Sequence, residues 1–218
     1  MTKVAIMQPT YLPWSGYFGL LNFVDLFIIL DDVQFDKRSW QQRNRIKSSS
    51  GELFLTVPVI SKGKFSQKIN EVKIDKERRF EKVHLKSILL SYSKSKYSGW
   101  FSPIIEEIFR QKYTSLLNLN IEFIKSINKL LKINTDIIFS SDLKQTGNKA
   151  ELLCDLCEQV KAKSYISPPG SKNYIMGTDI FEKKNIEINY FDFKHPVYNQ
   201  LYGNFIPYLS CIDLIYNC

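Results

Sequence analysis

The stretch VAIMQPTYLPWSGYFGLLNFVDLFIILDDVQF, Val4 to Phe35, decides the fold. Val4–Met7 is a short apolar run of the kind that forms a buried strand. From Trp14 to Phe23 the apolar residues Tyr17, Phe18, Leu20 and Leu21, continued by Val24, recur at helical spacing. Leu26–Leu30 is again a continuous apolar run, rich in isoleucine. Strand, helix and strand in so few residues predict a βαβ unit with adjacent parallel strands and a right-handed crossover. Two features interrupt this simple reading. The loop after the first strand is crowded with aromatic and turn residues, and the second strand ends on Asp31-Asp32.

Outward from this stretch the same alternation returns. Asp136–Ser140, Ser164–Ser167 and Ile186–Phe193 read as further strands, and a helix capped by Thr146 or Asn148 falls between the first two. Leu53–Ile60 reads as a strand with Pro58 near its end, and Ile69–Ile74 alternates like a short strand. Trp40–Lys47 is polar and basic and reads as a loop. Asp75 caps a predicted helix running to about Tyr92. Pro103 opens a helical stretch to Leu131 that breaks near Thr114 or Asn118–Asn120, and Pro207 starts a short last helix. The expected fold is α/β: a mostly parallel sheet with flanking helices and a helical insertion around 76–131. A single domain over 1–218 is expected, because no linker divides the chain.

With 218 residues, 44% hydrophobic and 24% charged, the chain has the composition of an ordinary globular protein. No apolar run reaches the ~18–20 residues of a membrane span. The N-terminus opens on a strand pattern rather than a signal peptide, and four cysteines without secretory context point to the reducing cytoplasm. The net charge of +8 is unevenly spread. Residues 36–96 hold sixteen Lys/Arg against six Asp/Glu, which favours an anionic partner. Phosphorylated small molecules, anionic lipid and nucleic acid all fit that description.

Several residues stand out chemically. In parallel α/β folds, ligands sit beyond the carboxyl ends of the strands, near helix N-termini. Gln8, Tyr11, Trp14, Gly16 and Tyr17 occupy that place: an amide, aromatic faces and a glycine that permits close approach. The loop is loosely similar to the nucleotidyltransferase loop ending in His-x-Gly-His. Trp14, Ser15 and Tyr17 stand in place of histidine chemistry, which argues against adenylyl transfer and leaves a fold relationship open. Asp31 and Asp32 end a strand, where neighbours point to opposite faces, so one of them, with Gln34 nearby, is expected at the cleft. Asp32 and His84 are the candidate general bases, and the aspartate is also a candidate metal ligand or hydroxyl acceptor. Arg38, Arg43 and Arg45 offer planar forks for phosphate or carboxylate, Asn44 adds an amide, and Trp40 offers a stacking face. Imidazole chemistry has two candidates, His84 and His195. Gly170, Ser171 and Tyr174 follow a strand in SPPGSKNY and are expected to supply exposed amides and polar contacts. Cys154 and Cys157 form Cys-x-x-Cys inside a helical pattern, which reads as packing rather than redox chemistry, and no metal site is expected of them. P-loop, dinucleotide and Gly-x-Ser-x-Gly patterns are absent.

QPTYLPWSGYF, DLFIILDDVQFDKRSWQQRNRIK, EKVHLKSI, GNKAELLCDLCEQVKAKSYISPPGSKNYI and FDFKHPVYNQLYGNFIPYLSCIDLIYNC follow one another over nearly the whole chain. As a set they resemble the WbqC-like family of bacterial proteins. The resemblance implies a role in O-antigen or other surface-polysaccharide pathways that tailor unusual sugars, without fixing a reaction. The local chemistry suits acyl or aminoacyl transfer to the amine of a nucleotide-linked amino sugar, with acyl-CoA or an aminoacyl donor as the second substrate. Aminoacyl-tRNA as donor would fit the basic segment. The alternatives are a non-catalytic module for a phosphorylated ligand and direct nucleic-acid binding. Gln8, Asp32, Arg43, Ser171 and Tyr174 are expected to line one cleft, with His84 or His195 at its edge.

Overall fold

The computed structural model describes residues 2–171, 175 and 177–218. Tyr174 falls outside them. The chain divides into two compact units. The first comprises Met1–Gln8, Gly16–Asp32 and Lys132–Lys194; the second comprises Pro9–Ser15, Val33–Leu131 and His195–Cys218.

The first unit is a five-stranded sheet made of β1 (Lys3–Met7), β2 (Leu26–Ile29), β5 (Asp136–Phe139), β6 (Ser164–Ser167) and β7 (Glu187–Tyr190). The spatial order is β5-β2-β1-β6-β7, with every pair parallel. The chain thus builds outward from β1 through β2 to β5, then crosses to β6 and continues to β7. Such a sheet must be covered on both faces, and the strands carry the continuous apolar runs that this demands. Ile6 and Ile28 pack on one face with Leu153, Leu156 and Cys157 of α5 (Ala150–Gln159) and with Phe181 of α6 (Ile180–Lys183). Phe27 faces the other way and meets Tyr17 of α1 (Ser15–Phe23) at 5.3 Å between ring centroids. Gly19 of that helix is required by packing: a Cβ there would lie 2.8 Å from the Phe193 ring.

Two local readings change here. Neither Thr146 nor Asn148 caps α5. Lys149 holds the N-cap place without a side-chain cap, because Asp155 has claimed Thr146 through its backbone N–H at 2.7 Å. The last strand is shorter than the predicted Ile186–Phe193, since pairing with β6 ends at Tyr190.

The second unit combines an antiparallel hairpin, β3 (Arg43–Ser48) and β4 (Gly51–Thr56), with α2 (Phe80–Tyr92), α3 (Ser98–Arg110), α4 (Leu116–Leu131) and α7 (Cys211–Asn217). The three helices from α2 to α4 are the helical insertion expected over 76–131. The hairpin corrects the reading of Trp40–Lys47 as a loop. Its period of two is hidden because the inward positions include Asn44 beside Ile46, so polarity does not alternate with burial. Ile69–Ile74 is not a strand: a tight 3₁₀ turn, Ile69–Glu71, forms when the Glu71 carboxylate takes the Lys68 N–H at 2.8 Å. Asp75 caps a 3₁₀ turn, not α2 itself. Arg79 then adopts φ 43°, ψ 39°, a left-handed break after which α2 starts at Phe80. Helix α3 begins at Ser98, ahead of Pro103, and the break before α4 lies around Thr114 as expected. The last helix starts at Cys211 rather than Pro207, capped by the Ser210 hydroxyl. Tyr208 at φ 57° blocks an earlier start. Among the described residues no helix is long and apolar enough to cross a membrane.

Candidate functional site

In the first unit, parallel pairing brings every strand's carboxyl end to one edge. The registers Val4↔Tyr165 and Met7↔Ile29 place Gln8 beside the turn that follows β6. Gln8 and Gly170 therefore share the same end of the sheet on neighbouring strands. The chain leaves β1 toward β2 and leaves β6 toward β7, so the gap between them is a topological switch point, the place where open α/β sheets take ligands. Gln8 and Gly170 are exposed. A Cβ added at Gly170 would meet nothing within 4 Å, so its backbone faces open space. Ser171 is buried instead. Its hydroxyl shares a 2.8 Å hydrogen bond with Ser167 and donates to the Pro168 carbonyl at 2.9 Å, so it shapes the turn.

Asp31 and Asp32 do not diverge to opposite faces, because β2 ends at Ile29 and strand alternation stops before them. Both carboxylates reach the Ser140 hydroxyl just after β5, at 3.1 and 2.5 Å. The Asp31 carboxylate is buried and also accepts the Ser141 N–H at 3.0 Å and the Ser141 hydroxyl at 2.8 Å. Asp32 stays half-buried and accepts from the Gln145 amide on its second oxygen. Asp31 thus ties two strand ends together, while Asp32 keeps solvent access. The sequence reading missed Ser140, Ser141 and Gln145; nothing in a Ser-Ser pair after a strand marks it as an aspartate partner 109 residues away.

In the second unit the aromatic loop residues turn inward. Tyr11 is 0% exposed, so the flat face expected to hold ligand is a packing face, set edge-on against Phe123. Its hydroxyl lies 2.8 Å from His84 Nδ1. Burial pushes the His84 imidazole down to about 4, partly offset by a backbone hydrogen bond at Thr56. Burial also raises the Tyr11 phenol well above its ordinary value, helped by the charge of Glu81. The imidazole thus shares a hydrogen bond with the Tyr11 hydroxyl through Nδ1 and also meets the Thr56 backbone. His84 anchors the Tyr11 hydroxyl within the second unit. His195 is hydrogen-bonded as well. Its Nε2 accepts the Tyr208 N–H at 3.1 Å, which leaves Nδ1–H to donate to the Pro196 carbonyl at 2.8 Å. Trp14 packs edge-on against Tyr208 and bridges to Ser210. Asn44 is buried and donates to the Tyr11 and Leu12 carbonyls at 3.2 and 2.7 Å, fixing the loop from within. Gln34 donates to the Phe65 carbonyl at 3.0 Å. In the first unit Tyr17 is likewise 0% exposed, so it is core rather than a ligand contact.

One open region of the second unit is cationic and aromatic. A cavity of about 520 Å³ is lined by Lys37, Arg38, Arg78, Gln42, Thr56 and His84, among others. Beside it the outer face of the hairpin carries Arg43 and Arg45, with Trp40 and Phe54 half exposed. The Arg43 guanidinium stands 5.0 Å from the Phe54 ring centre, and Arg45 pairs with Glu52 at 2.8 Å. Farther along the same strand Lys47 is only 1% exposed. Its ammonium donates to Gln200 Oε1 at 3.2 Å and to the Gly203 and Asn204 carbonyls at 3.4 and 2.5 Å. Nearby, Asp213 is buried and accepts from Tyr92, Tyr198 and Gln200 at 2.8–2.9 Å. Burial raises its carboxyl, against those hydrogen bonds and the charge of Lys47. This second polar network was also invisible in the sequence, because its members lie far apart along the chain.

The four cysteines are free, and Cys154 and Cys157 are buried on α5, as their helical spacing implied. No solved structure matches the chain. An uncharacterised protein of Mycobacterium tuberculosis, Rv1507c, is 40% identical over 222 aligned residues, covering 100% of this chain and 94% of its own length. The model of the WbqC-like protein family matches residues 8–218, a span that takes in the aromatic loop, the Asp31-Asp32 pair, the hairpin and the closing helix. With nearly its whole length matched, the chain belongs to the WbqC-like protein family.

Proposed function

We propose that the protein is a transferase of surface-polysaccharide biosynthesis that moves an acyl or aminoacyl group onto the amine of a nucleotide-linked amino sugar. The observation that carries this reading is the switch-point edge of the parallel sheet, with Gln8 and Gly170 exposed on neighbouring strands and Asp32 half-buried at the end of the next strand. In this reading the sugar amine attacks the acyl carbon. The new N–C bond replaces the thioester or ester bond of the donor, and the amine proton passes to Asp32 and from it to the departing sulfur or ribose oxygen, which leaves as free CoA thiol or uncharged tRNA. Gln145 and Ser140 hold that carboxylate in place. Exposed backbone at Gly170 is suited to bind the oxyanion. Incubating the purified protein with nucleotide amino sugars and either acyl-CoA or charged tRNA tests it by mass shift of the sugar. No product with either donor class sinks the reading.

A second reading, a non-catalytic module for a phosphorylated ligand, is favoured by one observation: both histidines hold hydrogen bonds to other residues of the chain. Asp32→Asn separates the two. Lost turnover with ligand binding retained supports transfer, whereas binding without turnover in the wild type supports the module.

A further inference from the structure

We propose that the second unit carries a binding site of its own for a phosphorylated nucleoside, with the phosphates among Lys37, Arg38 and Arg78 and the base stacked on Trp40 and Phe54. The cationic side is held by a rigid loop. Buried Gln41 takes the Asp36 N–H at 3.0 Å, and buried Gln42 takes the Arg38 N–H at 3.1 Å while donating to the Val57 carbonyl at 3.1 Å. Arg38 itself sits at φ 65°, a conformation costly for a non-glycine residue. Two interior glutamines thus fix the backbone from which Lys37 and Arg38 project. Neither has an ion-pair partner among the described residues. Arg78 enters from the other wall, in loose contact with Asp75 at 3.5 Å. Three cations against one carboxylate, around a cavity floored by Phe80 and His84, suit a phosphate or diphosphate.

The flat side adjoins it. Trp40 and Phe54 are 48% and 46% exposed, with ring planes 21° apart and centroids 6.4 Å apart. Their neighbours Arg45 and Arg43 stand 6.0 and 5.0 Å from the Trp40 and Phe54 ring centres. Two half-exposed, nearly parallel rings, each with a guanidinium group over it, form a layered flat surface suited to a flat, electron-rich group rather than to an aliphatic one. Thr56 joins the two halves. It lies two residues beyond Phe54 on the same outer face of β4, about 7 Å along the strand, and it lines the cationic cavity. A nucleoside with a 5′-phosphate or diphosphate spans such a step; inorganic phosphate or a plain sugar phosphate uses only half of it.

The site uses residues of the second unit alone, so its failure leaves the transfer reading standing. Calorimetric titration of the full chain with ADP, adenosine and pyrophosphate tests it on the wild type, Trp40→Ala and Arg78→Ala. Both side chains are exposed, and an unchanged circular dichroism spectrum and Tm confirm folding. The expected result is ADP binding weakened about tenfold or more in each variant, with pyrophosphate weakened by Arg78→Ala alone. Phe54→Ala should repeat the Trp40→Ala pattern. No ADP binding by the wild type overturns the proposal. So does ADP affinity left at the wild-type value by all three substitutions, which places any nucleotide elsewhere in the molecule.

Discussion

The two units bury their polar groups in opposite ways. In the sheet unit the buried carboxylate, Asp31, sits at a strand end, and three of its hydrogen bonds come from two consecutive serines. In the second unit Asp213 gathers Tyr92, Tyr198 and Gln200 from separate segments, with the charge of Lys47 nearby. The first arrangement decorates a core that apolar strands and helices complete without it. The second is part of what joins a hairpin, a helix and an irregular segment to one another. The lesson is that the sheet unit depends on apolar pattern, whereas the second unit depends on polar partners meeting across long stretches of chain.

The sharpest way to break this contrast is Asp213→Ala. It removes the acceptor of three donors, Tyr92, Tyr198 and Gln200, and the negative charge near Lys47, so a loss of about 3 kcal/mol or more in urea unfolding is expected. A loss under about 1 kcal/mol would mean that the network is ornamental. The next effect comes from pH. His84 titrates near 4 in the folded chain and near 6.5 when unfolded, so the unfolded state takes up the proton first as pH falls. Stability from the neutral imidazole is intact above about 6.5 and drains between 6.5 and 4, by about 3 kcal/mol. Unfolding curves at pH 7 and pH 4 should show this difference in the wild type and lack it in His84→Phe.

In the sheet unit, Asp31→Asn keeps the shape but weakens acceptance from Ser140 and Ser141. The expected cost is about 1–3 kcal/mol, smaller than that of Asp213→Ala. The reverse ranking, measured under the same conditions, would erase the distinction between the units. Arg45→Ala removes an exposed pair with Glu52 and should cost less than about 1 kcal/mol. It serves as the baseline for a polar contact on the open face of the hairpin.

The sequence by itself determined the parallel sheet. Val4–Met7, Leu26–Ile29 and Ser164–Ser167 lie in a sheet covered on both faces, and the helical period of α1 and α5 comes from burying one face. Such periodicities survive in one dimension. It also marked the strand-end positions Gln8, Asp31, Asp32 and Gly170, because βαβ connectivity alone sends carboxyl ends to one edge. Only the tertiary structure decided the rest. It turned Tyr11, Tyr17 and Asn44 inward, gave both histidines hydrogen-bond partners, and made a strand of Arg43–Ser48 by covering Lys47 and leaving Arg43 and Arg45 open. The reason is that a polar residue's role depends on whether a partner meets it. Tyr11 and His84 are 73 residues apart and Tyr92 and Asp213 are 121 apart, and no local pattern encodes those meetings.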